Sequence, residues 1–366
     1  MGNLNKKRQK FYPNECLGRN VTHSNEPEHI NITPISKYKA KSLSLEIKQY
    51  NPFSNEIFED IITYPDLPNS IIIALRSGKI NEISDFIPPV KESLKTETLY
   101  SFSKGLYSLI LLTKNNNKIC AGLENEIFIL NLKIDGKHIL ENEKQLLCQE
   151  EGKISCLLEL ENGNIISAGK NIILWKINEL KEYTKVSSIP IQNYKMRIMN
   201  LVEFPFFKTL IATQEETHNI YILKNEENSI SLLQTKEDIP SIWYKGSAQR
   251  LTKNGMILVG KFEINVIDPS NGEKVSRYPG IDRGTLLNFS QKYKNKDFWI
   301  VTEYNGRYLE LYEQEENDLI YSDKYEFEDS ENIGWFNRLV KINEECFISI
   351  NHYAKISVFK INFLKQ

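Results

Sequence analysis

One pattern constrains this chain more than any other: a unit of short apolar strands separated by tight turns recurs along most of its length. It is clearest at 154–177, where ISCLLEL, the turn ENGN, IISAG, the turn KN and IILWKI follow one another. The Asn162-Gly163 step predicts the positive φ angles of a tight hairpin turn. The same order returns at 106–132 and at 248–267, where Asn254-Gly255 is the expected turn. A small or mid-sized residue near the end of the middle strand marks each copy: Ala74, Ala121, Ala168, Ala212, Val259, Thr302 and Ser349. Their spacings are 47, 47, 44, 47, 43 and 47 residues, so the unit occurs seven times.

Two further markers keep the same register. A glycine stands ahead of the first strand at Gly105, Gly152, Gly246, Gly284 and Gly334, and the next strand ends in a large apolar residue at Ile83, Leu130, Trp175, Leu223, Ile267, Tyr312 and Phe359. A period in the forties with about four short strands per unit is that of a β-propeller, whose twisted sheets stack radially. The expected fold is all-β and seven-bladed.

At these residues the chain resembles the WD-repeat family. Gly152, Ser167-Ala168-Gly169 and Leu174-Trp175-Lys176 carry the likeness most closely, and it covers roughly residues 59–361. No copy has the family's Gly-His or terminal Trp-Asp pair, and Asn171 or Asn219 stands where the family usually has Asp. The family's buried hydrogen-bonded tetrad is therefore not expected, and apolar packing should carry the blades.

The last copy ends on ISVFKI at 356–361 and lacks a fourth strand. The alternating segment 42–50, ahead of the first copy, is expected to supply it and close the ring, since an unpaired edge is a pairing liability. Residues 1–40 are polar and basic, contain Pro13, Pro27 and Pro34, and read as a flexible arm ahead of a propeller spanning 41–366.

Composition narrows the function classes. Lys and Arg total 46 against 48 Asp and Glu, a formal charge of -2, so no nucleic-acid partner is expected. Cys16, Cys120, Cys148, Cys156 and Cys346 are scattered without a CxxC, which points to a reducing, cytoplasmic setting and away from a zinc site. No P-loop, GxSxG, HExxH or dinucleotide glycine turn is present, and the five histidines lie far apart, so neither catalysis, a cofactor nor a metal is expected.

In WD-type propellers the face on which first strands begin most often binds partners, and bulky or cationic residues fall there: Tyr107, Arg197, Trp243, Tyr244, Arg250, Arg283, Trp335 and Arg338. Trp and Arg are enriched at binding hot spots. The resemblance thus implies a non-catalytic protein-interaction scaffold, a subunit of a larger assembly, with these residues as the partner site. The alternative is a peripheral membrane propeller. Arg283-Gly284-Thr285 is similar to the Arg-Arg-Gly motif of phosphoinositide-binding propellers, although Asp282 replaces its first Arg. Gly2 with Lys6, Lys7, Arg8 and Lys10 has the make-up of an acylated basic terminus, although Lys6 stands where Ser or Thr is favoured.

Overall fold

The structure, a computed structural model, describes residues 43–363 apart from 54–55, 66, 68, 85–93, 136, 148–151, 192–195, 218, 238–244, 253, 261–262, 280–282, 292–295, 304–307, 317, 328–336 and 344–345. The chain divides between Ile30 and Asn31 into two units, and every described residue belongs to the second. The arm expected over 1–40 lies outside the described residues.

The described strands form seven four-stranded antiparallel sheets, and each sheet is one blade. The innermost strands are Phe58–Thr63, Ser108–Leu112, Cys156–Glu159, Ile198–Phe204, Ala248–Thr252, Arg283–Gln291 and Arg338–Lys341, in blades 1 to 7. Each touches the next, and the seventh touches the first, so the ring is complete around a central axis. In blades 1 to 6 the strands run outward in chain order. Blade 7 differs: Leu43–Tyr50 is its outermost strand and pairs antiparallel with Ile356–Phe363, from Leu43 opposite Phe363 to Tyr50 opposite Ile356. The closing strand expected at 42–50 is therefore present over its described residues, Leu43–Tyr50.

The apolar runs exist because each blade buries both faces. Ile71, Ile73 and Leu75 pack against Ile348, Ile350 and Val358 of blade 7, whereas Ile72 and Ala74 of the same strand pack against Leu109, Ile119 and Ala121 of blade 2. Five further clusters fill the remaining five junctions between blades. Each large aliphatic side chain fully buried in this way contributes about 2 kcal/mol. The seven markers are all buried near the end of a second strand, and the large residues from Ile83 to Phe359 lie in the seven third strands. Side-chain hydrogen bonds inside single blades add to this packing, as between Asn200 and Thr213 or Tyr221 and Gln214. In blade 3, the copy closest to the WD pattern, Trp175 Nε1 donates to Ser167 Oγ at 2.8 Å.

Three turn expectations need correction. In the 160–164 loop only Gly163 has a positive φ, 85°, and its N–H donates to Leu160 O while Leu160 N–H donates to Asn164 O. This is a three-residue loop with one left-handed residue, not a two-residue turn. Gly255 already belongs to the second strand of blade 5 and has no positive φ. Gly284 lies inside the innermost strand of blade 6, at the irregularity between Arg283 and Leu286, instead of ahead of it. Gly334 lies outside the described residues.

Deleting residues 1–50 removes the outer strand of blade 7 and exposes the edge of Ile356–Phe363. We expect that deletion to lower the melting temperature by at least about 5 °C, a few kcal/mol for a ring of this size. Deleting residues 1–30 leaves the strand pair whole and should leave the melt unchanged.

Candidate functional site

All seven innermost strands start on one side of the ring, here called the start face; the hairpins joining first to second strands form the opposite, hairpin face. On the start face a belt of small polar side chains joins neighbouring blades. Ser108 Oγ donates to Ile154 O at 2.7 Å, and Ser155 Oγ to Ile198 O at 3.0 Å. Asn200 accepts from Gly246 N at 2.7 Å and donates to Ser247 Oγ at 3.0 Å, and Thr285 Oγ1 donates to Gly246 O at 3.3 Å. Each bond satisfies a polar group that is buried or partly buried between blades.

In blade 1 carboxylates do the joining. Asp60 accepts from its own strand at Ile61 N, 3.0 Å, and from blade 2 at Leu109 N, 3.1 Å. Its Oδ2 also lies 3.3 Å from Lys245 Nζ, and its Oδ1 lies 3.7 Å from Arg338 Nη1. Lys245 leads into blade 5 and donates as well to Tyr107 O, at the start of blade 2. Glu59 pairs with Arg76 of its own blade and with Arg197 Nη1, which leads into blade 4, at 3.4 Å. Blades 1 and 5, 2 and 5, and 1 and 4 are three apart, the greatest separation in a ring of seven. These bonds therefore cross the mouth of the central channel. Gly246, with φ 78°, makes the turn beside Lys245; a Cβ there would meet Thr285 Oγ1 at 3.1 Å and Arg338 Cδ at 3.4 Å.

Titrating neighbours follow this layout. Burial pushes the Cys156 thiol up to about 11, with Lys245 opposing, so at neutral pH it is protonated and not a nucleophile. Burial lowers the His352 pKa, with Arg76 and Arg197 adding to the effect and Glu59 opposing it. Burial raises Glu215, against the pull of Arg197. Tyr107 is raised by burial and by Glu124 and Glu59, and its ring carries Lys153 Nζ at 5.0 Å and the Arg197 guanidinium at 5.9 Å.

Of the candidate residues, Tyr107, Arg197 and Arg338 meet at this mouth. Arg250 does not: its side chain points to the hairpin face, 3.8 Å from Glu161. There Glu159 accepts from Thr113 N and Lys114 N, and Glu203 from Glu161 N, so each carboxylate caps the hairpin of the preceding blade. Arg283 is the first residue of blade 6's innermost strand. Gly2, Trp243, Tyr244 and Trp335 lie outside the described residues. Among the described residues no three His, Cys, Asp or Glu side chains are grouped to hold a metal ion.

Sequence reasoning missed Glu59, Asp60, Arg76 and Lys245. A signal for Asp60 existed. It stands opposite the marker Ala74, and the residues opposite Ala121, Ala168, Ala212 and Ser349 are Leu109, Cys156, Leu201 and Leu339. A carboxylate at a position that four other copies fill with Leu or Cys requires a buried cation.

Fold and site define a seven-bladed β-propeller whose channel mouth is crossed by ion pairs. No protein family matches the sequence, and no curated protein is similar to it. Among solved structures, the crystal structure of BBS1N in complex with ARL6DN, soaked with mercury, superposes with a TM-score of 0.56 at 10% identity, covering 84% of this chain and 97% of that one. In all, 938 solved chains match, and likeness of fold alone selects no function.

Removing Lys245 leaves the buried Asp60 carboxylate with its two backbone donors and the more distant Arg338. Lys245→Met should cost on the order of 3 kcal/mol in denaturant unfolding. Combined with Asp60→Asn it should cost less than the two single changes added, by about 1 kcal/mol or more. His352 supplies a pH test. Its folded pKa lies below its unfolded value of 6.5, so the unfolded state binds more protons and stability falls as pH drops below 6.5. We expect His352→Gln to flatten that fall between pH 7 and 5 in melts of the two proteins.

Proposed function

We propose that this propeller is a non-catalytic scaffold that holds a protein partner on its start face, as a subunit of a larger cytoplasmic complex. One observation carries the reading. Three arginines and a tyrosine brought from four blades are gathered at one mouth and anchored by two buried carboxylates, so a partner meets a preformed surface and little ordering entropy is lost on binding. The likeness to BBS1N, which was crystallised with ARL6DN, supports a protein partner, and the repeat markers support a divergent relative of the WD propellers. Cys156 and Cys346 are free thiols, in keeping with a reducing compartment. The membrane alternative rests on Gly2 and Arg283. Arg283 is described only by its place at the start of a strand, and no observation at the mouth favours that alternative.

The two faces are compared directly by placing a photo-crosslinking residue at exposed Tyr353, on the start face, or at exposed Phe206, on the hairpin face. In cells, position 353 should give discrete protein adducts and position 206 should not. Adducts from position 206 alone would place the partner on the other face.

A further inference from the structure

The start-face mouth is built with its anions below and its cations above. The side chains of Glu59 and Asp60 are 5% and 7% exposed, whereas those of Arg76, Arg197 and Arg338 are 37%, 28% and 28% exposed. With Lys245, four cations share two carboxylates. Asp60 already accepts two backbone N–H groups. Arg197 and Arg338 each reach their carboxylate through Nη1, at 3.4 and 3.7 Å. Those distances exceed the 2.7–2.9 Å typical of a charge-assisted bond, so both guanidiniums are far from saturating their five donors. Lys153, exposed over the Tyr107 ring, extends the cationic surface outward. Acids near the rim include Glu215 beside Arg197 and Glu124 beside Tyr107, and the buried Glu303 stands opposite Arg283 in blade 6.

We infer that the mouth binds an acidic peptide segment of a protein partner, whose carboxylate side chains enter between Arg76, Arg197 and Arg338. This rests on the scaffold reading above and adds the chemistry of the partner. The cations converge on the channel axis from blades 1, 4 and 7 and are partly buried, so an anion has to reach into the mouth. The carboxylates of an extended chain do so, whereas the headgroups of a flat bilayer remain above it. Guanidiniums fixed by buried carboxylates are preorganised for fork-like bonds to incoming carboxylates.

The test uses the full-length chain and a fluorescent octaglutamate peptide, with octaserine, octalysine and anionic lipid vesicles as comparisons. Octaglutamate alone should bind, and raising NaCl from 0.1 to 0.3 M should weaken it severalfold. Arg197→Gln with Arg338→Gln should reduce affinity by about tenfold or more. That variant disturbs buried pairs, so Lys153→Gln, which leaves every buried pair intact, should give a smaller loss at an unchanged melting temperature. Octaglutamate binding no tighter than octaserine, binding unaltered in both variants, or capture by vesicles without peptide binding would each overturn the inference. Crosslinks from position 353 that persist in that case would leave the scaffold reading standing and remove only the acidic partner.

Discussion

A four-stranded sheet that is apolar on both faces must be covered twice. The strand Ile71–Leu75 sends alternate residues into two different junctions, and each of the seven second strands is placed to do the same. Each blade can satisfy this requirement only with a blade on either side, and a row of such blades has no stable end. Closing the row into a ring meets the condition everywhere at once. The belt of small polar side chains, the carboxylates that cap hairpins and the channel-crossing ion pairs are details laid over this requirement.

The charges at the mouth do something different from the apolar junctions. Packing holds each blade to its neighbours, whereas Lys245 with Asp60 and Arg197 with Glu59 join blades on opposite sides of the axis. Such bonds resist shear and ovalisation of the disk, motions to which contacts between neighbours are soft. Their cost is desolvation, moderated by backbone donors at Asp60 and by the partial exposure of the arginines. The same partial exposure leaves donors facing outward, so one network both braces the ring and presents a binding surface.

The fold was legible because burial on both faces writes itself into the chain as short unbroken apolar runs at a fixed period. A marker such as Ala168 or Ala212 is small because a neighbouring blade lies against it. The site was legible only in part. Tyr107, Arg197 and Arg338 stand where first strands begin, and a local reading finds them. Arg250 misleads because a five-residue strand crosses the disk, so a residue two places in already belongs to the far side. Lys245 is unremarkable alone, and its pairing with Asp60 depends on a ring geometry that no window of neighbouring residues contains. The turn residues were misjudged at Gly255 and Gly284 because a glycine in a strand can also serve an irregular pairing.

The pairing of Leu43–Tyr50 with Ile356–Phe363 sets an order of events during synthesis. Leu43–Tyr50 is made before the six blades that separate it from its partner, so those blades can assemble while the seventh is unfinished and the ring stands open. Until then the outermost strand has no partner, and the blade 1 face that Ile71, Ile73 and Leu75 present to blade 7 stays uncovered. Translation of residues 51–355 thus proceeds with an uncovered flank, and the arrival of Ile356–Phe363 is what protects the growing chain from association with other copies.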